Sequence, residues 1–164
     1  SPGFKHYLEI SGTGIMNIIT NTQPIDILLV EDSSSDAELI LEALCDSNLS
    51  SNFHWVDDGA KAIAFLRQQG KYQEAPRPHL IFLDLNLPKK DGREVLQEIK
   101  EDPQISTIPI IILTTSDSQQ DIINTYRLKA NCYICKPIDW ENFLSMVKQI
   151  EEFWLDLVRL PSYQ

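Results

Sequence analysis

Four short apolar runs in this chain end in residues able to do chemistry. Ile25–Val30 runs into Glu31 and Asp32, Leu80–Leu83 into Asp84, Ile110–Leu113 into Thr114, and Cys132–Cys135 into Lys136. Carboxylates that gather repel one another unless a cation lies among them. With oxygen ligands alone, a hard divalent ion such as Mg2+ is the natural partner, because it binds few carboxylates and keeps waters that a phosphoryl oxygen can replace. An aspartate that attacks phosphorus forms an acyl phosphate. Such a transfer asks mainly for positioning and neutralised charge; Mg2+ would supply one cation and the compact ammonium of Lys136 the other. Taken singly, Asp32 reads as a helix cap and Lys136 as a solvated surface cation. Their coincidence at four strand ends is what points to a site.

The elements that must carry these residues alternate. Apolar runs at Ile25–Val30 and Leu80–Leu83 read as buried strands, with Phe53–Val56, Ile110–Leu113 and Cys132–Cys135 as the second, fourth and fifth strands. Between them, helical spacing covers Ser34–Leu44, a segment opened by Asp58, Gly92–Lys100, Ile122–Leu128 and a long final stretch Trp140–Val158. Repeated βα units predict a doubly wound α/β fold, flavodoxin-like, with a five-stranded parallel sheet in the order 2-1-3-4-5 and helices on both faces. In that order the first and third strands adjoin, and the site belongs beyond their carboxyl ends, where Asp84 on the central strand is best placed as nucleophile.

Composition narrows the class. The 164 residues carry 14 Lys and Arg against 24 Asp and Glu, a net charge of −10, which disfavours nucleic acid and anionic membrane. Apolar runs are too short to span a bilayer, and three cysteines fit a reducing cytoplasm. Cys132 and Cys135 form a C-x-x-C inside a strand, where positions three apart point to opposite faces. His6, His54 and His79 are scattered and suggest no metal cluster. Residues 1–24 read as an arm, flexible or partly an expression remnant ahead of Met16; 25–152 as the domain; and 153–164 as an extension of the last helix.

VEDSSSD, LDLNLPKKDG, PIIILTTS and YICKP, in that order, resemble the receiver domain of two-component response regulators over about Ile25 to Ile150. The segment NCYICKPIDWENFLSMVKQIEEFWLDLVRLP is similar to the single-domain regulators that partner cyanobacterial phytochromes. The resemblance implies that Asp84 accepts a phosphoryl group from a histidine kinase, that Asp32, Asp84 and the Asn86 carbonyl hold Mg2+ with Glu31 acting through water, and that Lys136 contacts the phosphate. It implies further that Thr114 and Tyr133 are a switch pair, that Asn86 and Ser116 tune the phosphoryl lifetime, and that the Lys136–Pro137 peptide is cis. Thr115 departs from the small residue many receivers carry there, which would narrow access.

About ten residues follow Trp154, too few for a DNA-binding output fold, so signalling by contact is expected. Phe143, Met146, Val147 and Ile150 should pack on the sheet, while Phe153, Trp154 and Val158 extend the stripe and suggest a homodimer interface. The competing reading is an aspartyl-phosphate-type phosphatase, an enzyme rather than a signalling protein; it lacks the acid such enzymes place where Asn86 stands. A flavin carrier is disfavoured by the acidic Glu31-Asp32 where a phosphate loop would lie.

Overall fold

The computed structural model describes residues 5–10, 16–21, 24–45 and 51–162, with side chains from residue 24 onward other than Cys45. Two strands, β1 (Lys5–Ile10) and β2 (Met16–Asn21), pair antiparallel as a hairpin. The remaining strands are β3 (Ile25–Val30), β4 (Ser51–Val56), β5 (Leu80–Leu83), β6 (Ile110–Thr114) and β7 (Cys132–Cys135). They form a parallel sheet ordered β4-β3-β5-β6-β7, the 2-1-3-4-5 order expected.

Strand residues alternate between two cores, as the pleat requires. Leu28, Val30, Ile81, Leu83, Ile110 and Ile112 face α2 (Gly59–Leu66) and α3 (Gly92–Glu101). Ile27, Leu29, Phe82, Ile111 and Leu113 face α1 (Ser34–Cys45) and α5 (Trp140–Ile150), where Phe143, Met146, Val147 and Ile150 are buried. Each helix starts where a short polar side chain accepts a backbone N–H of the first turn: Ser33 for α1, Asp58 for α2, Asp91 for α3, Ser118 for α4 (Gln119–Arg127) and Asp139 for α5.

Four expectations change. The arm at the start contains two paired strands, β1 and β2, where the sequence shows no period; Gly12 and Gly14 lie outside the described residues. The last helix is not uniform to Val158: after Ile150 the chain widens into a π-helical segment, Glu151–Leu157, in which Val158 N–H donates to Phe153 C=O at 2.9 Å. A wider turn puts residue i+5 beneath residue i, so Leu155 (1% exposed) continues the buried face from Ile150 while Phe153 (51%) and Leu157 (70%) turn outward. The histidines are not all scattered: His54 Nε2 lies 3.1 Å from Asp26 Oδ1, and His79 Nδ1 accepts the Asp26 N–H at 2.9 Å, because adjoining strands bring them together. Finally, Lys136–Pro137 is trans, the isomer any X–Pro bond prefers by ~0.5–1 kcal/mol.

Candidate functional site

The last rungs of the sheet fix the site. Glu31 N–H donates to Val56 C=O at 3.1 Å, Asp84 N–H to Val30 C=O at 3.0 Å, and Lys136 N–H to Thr114 C=O at 2.7 Å. Each functional residue is therefore the first beyond a paired strand, with its backbone held by its neighbour. Gly92 allows α3 to start directly behind this edge: a Cβ there would run into the carbonyl of Asp84 and the backbone of Leu85. The Gly92 N–H also donates to Leu85 C=O at 2.9 Å.

Both oxygens of Asp84 are engaged. Oδ1 accepts the Thr114 hydroxyl at 2.9 Å and the Asn86 N–H at 3.2 Å, and Oδ2 accepts from Lys136 Nζ at 3.0 Å. Lys136 also donates to Glu31 Oε2 and, at 3.1 Å, to Asp36 Oδ2. The second oxygen of Glu31 accepts the Ser33 N–H at 3.0 Å. Burial drives the Glu31 carboxyl up to about 7; Lys136 holds it back and the Asp84 charge adds to the rise. Burial acts to lower the Lys136 value, but the hydrogen bonds and charges of Glu31 and Asp84 outweigh it, so the ammonium is held above its ordinary value and stays charged.

Glu31, Asp32 and Asp84 each bring one carboxylate oxygen to within 4.8 Å of the others. These oxygen-only donors, exposed at Asp32 and closed at Glu31, fit a hard divalent cation such as Mg2+, which keeps part of its water. The sequence-derived set is thus brought together at Glu31, Asp32, Asp84, Asn86, Thr114 and Lys136.

Tyr133 and Ser116 lie one step away. The Tyr133 hydroxyl donates to Ser116 C=O at 2.8 Å, and the Cys135 thiol donates to the same carbonyl at 3.4 Å. The Ser116 hydroxyl points to α4, donating to Asp121 Oδ2 at 2.6 Å. Asp121 also accepts from Arg93 at 2.7 Å, and these two donors lower its carboxyl, Ser116 more than Arg93. Phe153 is exposed, whereas Trp154 and Val158 are half-buried, Trp154 against the α1–α5 core.

Two contacts were missed in the sequence. Asp36, in the first turn of α1, reaches Lys136 across 100 residues. The Trp55 indole N–H donates to the Glu31 carbonyl at 2.8 Å, holding the peptide before Asp32. A VEDSSSD run read for all its acids, with Asp36 one helical turn past Asp32, would have raised the first.

Residues 27–148 match the family model described as the response regulator receiver domain. Response regulator Rcp1 of Synechocystis sp. is 50% identical over 139 residues, 85% of this chain and 95% of that protein. The crystal structure of its Mn2+-bound form superposes with a TM-score of 0.83 at 50% identity, covering 85% of this chain and all (100%) of that one. The phosphorylated cyanobacterial phytochrome response regulator RcpA gives the same TM-score, 0.83, at 51% identity, covering 85% of this chain and 100% of that one.

Proposed function

The chain belongs to the response regulator receiver family, and from that premise we propose that it takes a phosphoryl group from a histidine kinase onto Asp84 and thereby switches a protein-contact surface. The observation that carries this reading is the convergence on one carboxylate of a buried ammonium, a buried hydroxyl and two further acids. An Asp84 oxygen attacks phosphorus in line; the bond from phosphorus to the donor imidazole nitrogen breaks, and an acyl phosphate forms. Lys136 supplies positive charge and hydrogen bonds where negative charge accumulates. Asp32, Asp84 and the Asn86 carbonyl, with Glu31 through water, would hold Mg2+, which when bound offsets the charge of the phosphoryl oxygens.

Once formed, the dianionic group offers acceptors to the Thr114 hydroxyl, which gives up its bond to Asp84 Oδ1. Movement of Thr114 draws on Ser116, whose carbonyl holds Tyr133, so Tyr133 and the α4–β7 face repack as a population shift. Asn86 and Ser116 set the phosphoryl lifetime. The domain is 25–152, with 153–164 as a contact extension. The outward Phe153 beside a groove of about 570 Å³ between β7 and α5 supports a homodimer through this face. The likeness to RcpA supports a cyanobacterial phytochrome as the kinase; the same reading makes the protein a cytoplasmic signalling partner rather than an enzyme of metabolism. Among the described residues no helix is long and apolar enough to cross a membrane.

Intact mass after incubation with acetyl phosphate and Mg2+ tests this. One added phosphoryl group is expected, absent in Asp84→Asn and absent with EDTA. An unmodified wild type, or a modified Asp84→Asn, overturns it.

A further inference from the structure

An ammonium has three N–H donors, and in this structure Lys136 has all three engaged: by Glu31, by Asp36 at 3.1 Å and by Asp84 at 3.0 Å. A phosphoryl oxygen arriving at Asp84 therefore gains a hydrogen bond from Lys136 only when a carboxylate gives one up. Glu31 is badly suited to yield. Its side chain is 1% exposed and its other oxygen is pinned by the Ser33 N–H, so its carboxylate cannot turn into water and gives up the amine only by taking a proton in exchange. Asp84 is the phosphoacceptor itself.

Asp36 differs on each count. Its side chain is 31% exposed and opens onto a groove of about 440 Å³ shared with Thr115 and Pro137, so its carboxylate can turn into water. Its backbone stays fixed meanwhile, because its N–H is capped by Ser33 Oγ at 3.3 Å in the first turn of α1. We infer that Asp36 is a positioning residue for the transfer: it holds the third donor of Lys136 before phosphorylation and is displaced from it by a phosphoryl oxygen. The inference rests on the phosphoacceptor reading of Asp84. Its consequence is that Asp36 weakens binding of the phosphodonor, both by occupying the amine and by placing a negative charge beside an incoming dianion. It also competes for Lys136 as long as the acyl phosphate lasts.

Steady-state phosphorylation by acetyl phosphate, with Mg2+ saturating, separates these ideas. In Asp36→Asn, which keeps the side-chain shape and loses the charge, KM for acetyl phosphate falls roughly three- to tenfold, the size of one partly solvated ion pair, while kcat stays within about twofold. Asp36→Glu restores the wild-type KM, and Asp36→Ala repeats the Asn result should the amide find a new partner. In the metal-free protein, the side-chain nitrogen resonance of 15N-labelled Lys136 shifts in Asp36→Asn and returns in Asp36→Glu. A KM that stays put or rises in both charge-removing variants, or an unmoved Lys136 resonance, overturns the role given to Asp36. A wild type that takes up no phosphoryl group overturns the reading of Asp84 instead.

Discussion

Replacing Lys136 with methionine keeps most of the side-chain volume and removes the only amine shared by Glu31, Asp36 and Asp84 among the described residues. Breaking a buried ion pair by deleting one partner costs about 3–5 kcal/mol when the other charge cannot escape. Here two escapes exist. Asp36 turns to solvent, and Glu31, already held at about 7, takes up a proton. Asp84 keeps Thr114 and the Asn86 N–H. The net loss in EDTA should therefore be about 2–4 kcal/mol, a fall in Tm of roughly 5–15 °C for a domain of this size. Mg2+ at a hundred times its Kd stabilises any folded binder by about 2.7 kcal/mol. It should help the variant more than the wild type, since it replaces the missing positive charge. Scanning calorimetry of both proteins, with EDTA and with Mg2+, reads all four values. A variant that melts at or above the wild type in EDTA would refute the placement of the amine among these acids.

Gly92→Ala drives a methyl group into the backbone at Asp84 and Leu85; we expect a loss of about 1–3 kcal/mol in urea unfolding and at least a tenfold slower phosphorylation by acetyl phosphate. Leu155→Ala should cost about 2–4 kcal/mol by the same assay, whereas Leu157→Ala, on the outward side of the π-helical segment, should cost less than about 0.5. Ser116 and Arg93 lower the Asp121 carboxyl, so the native state binds fewer protons there than the unfolded chain. That contribution is present above the unfolded value near 3.9 and lost as pH falls through the lower folded one. The stability gap between wild type and Asp121→Asn, read from urea curves, should accordingly shrink from pH 5 towards pH 2.

The strand ends were legible because a fully buried parallel strand must be a continuous apolar run, and the residue that breaks the run is the one the sheet delivers to its edge. Asp84 after LIFL follows directly; Lys136 follows the half-buried edge run CYIC, where the apolar signal is weaker. Helix starts were legible at Asp58 because a capping acid announces them. Contacts between elements were not. Asp36 meets Lys136 only once α1 packs beside α5 on one face of the sheet, and His54 meets Asp26 only through strand pairing. The break after Ile150 was hidden because EEFWLDL satisfies helical spacing equally well; the wider turn shows only in the fold, where it keeps Leu155 buried.

Trp55 carries a consequence of its own. Its indole donates to the peptide that precedes Asp32, and the ring stays 40% exposed at the rim. A divalent ion arriving at that acid alters the electric field across the excited-state dipole of the ring, so emission from this fluorophore should track occupancy. The molecule carries a label-free optical gauge, which Trp55→Phe would silence while Trp140 and Trp154 supply the background.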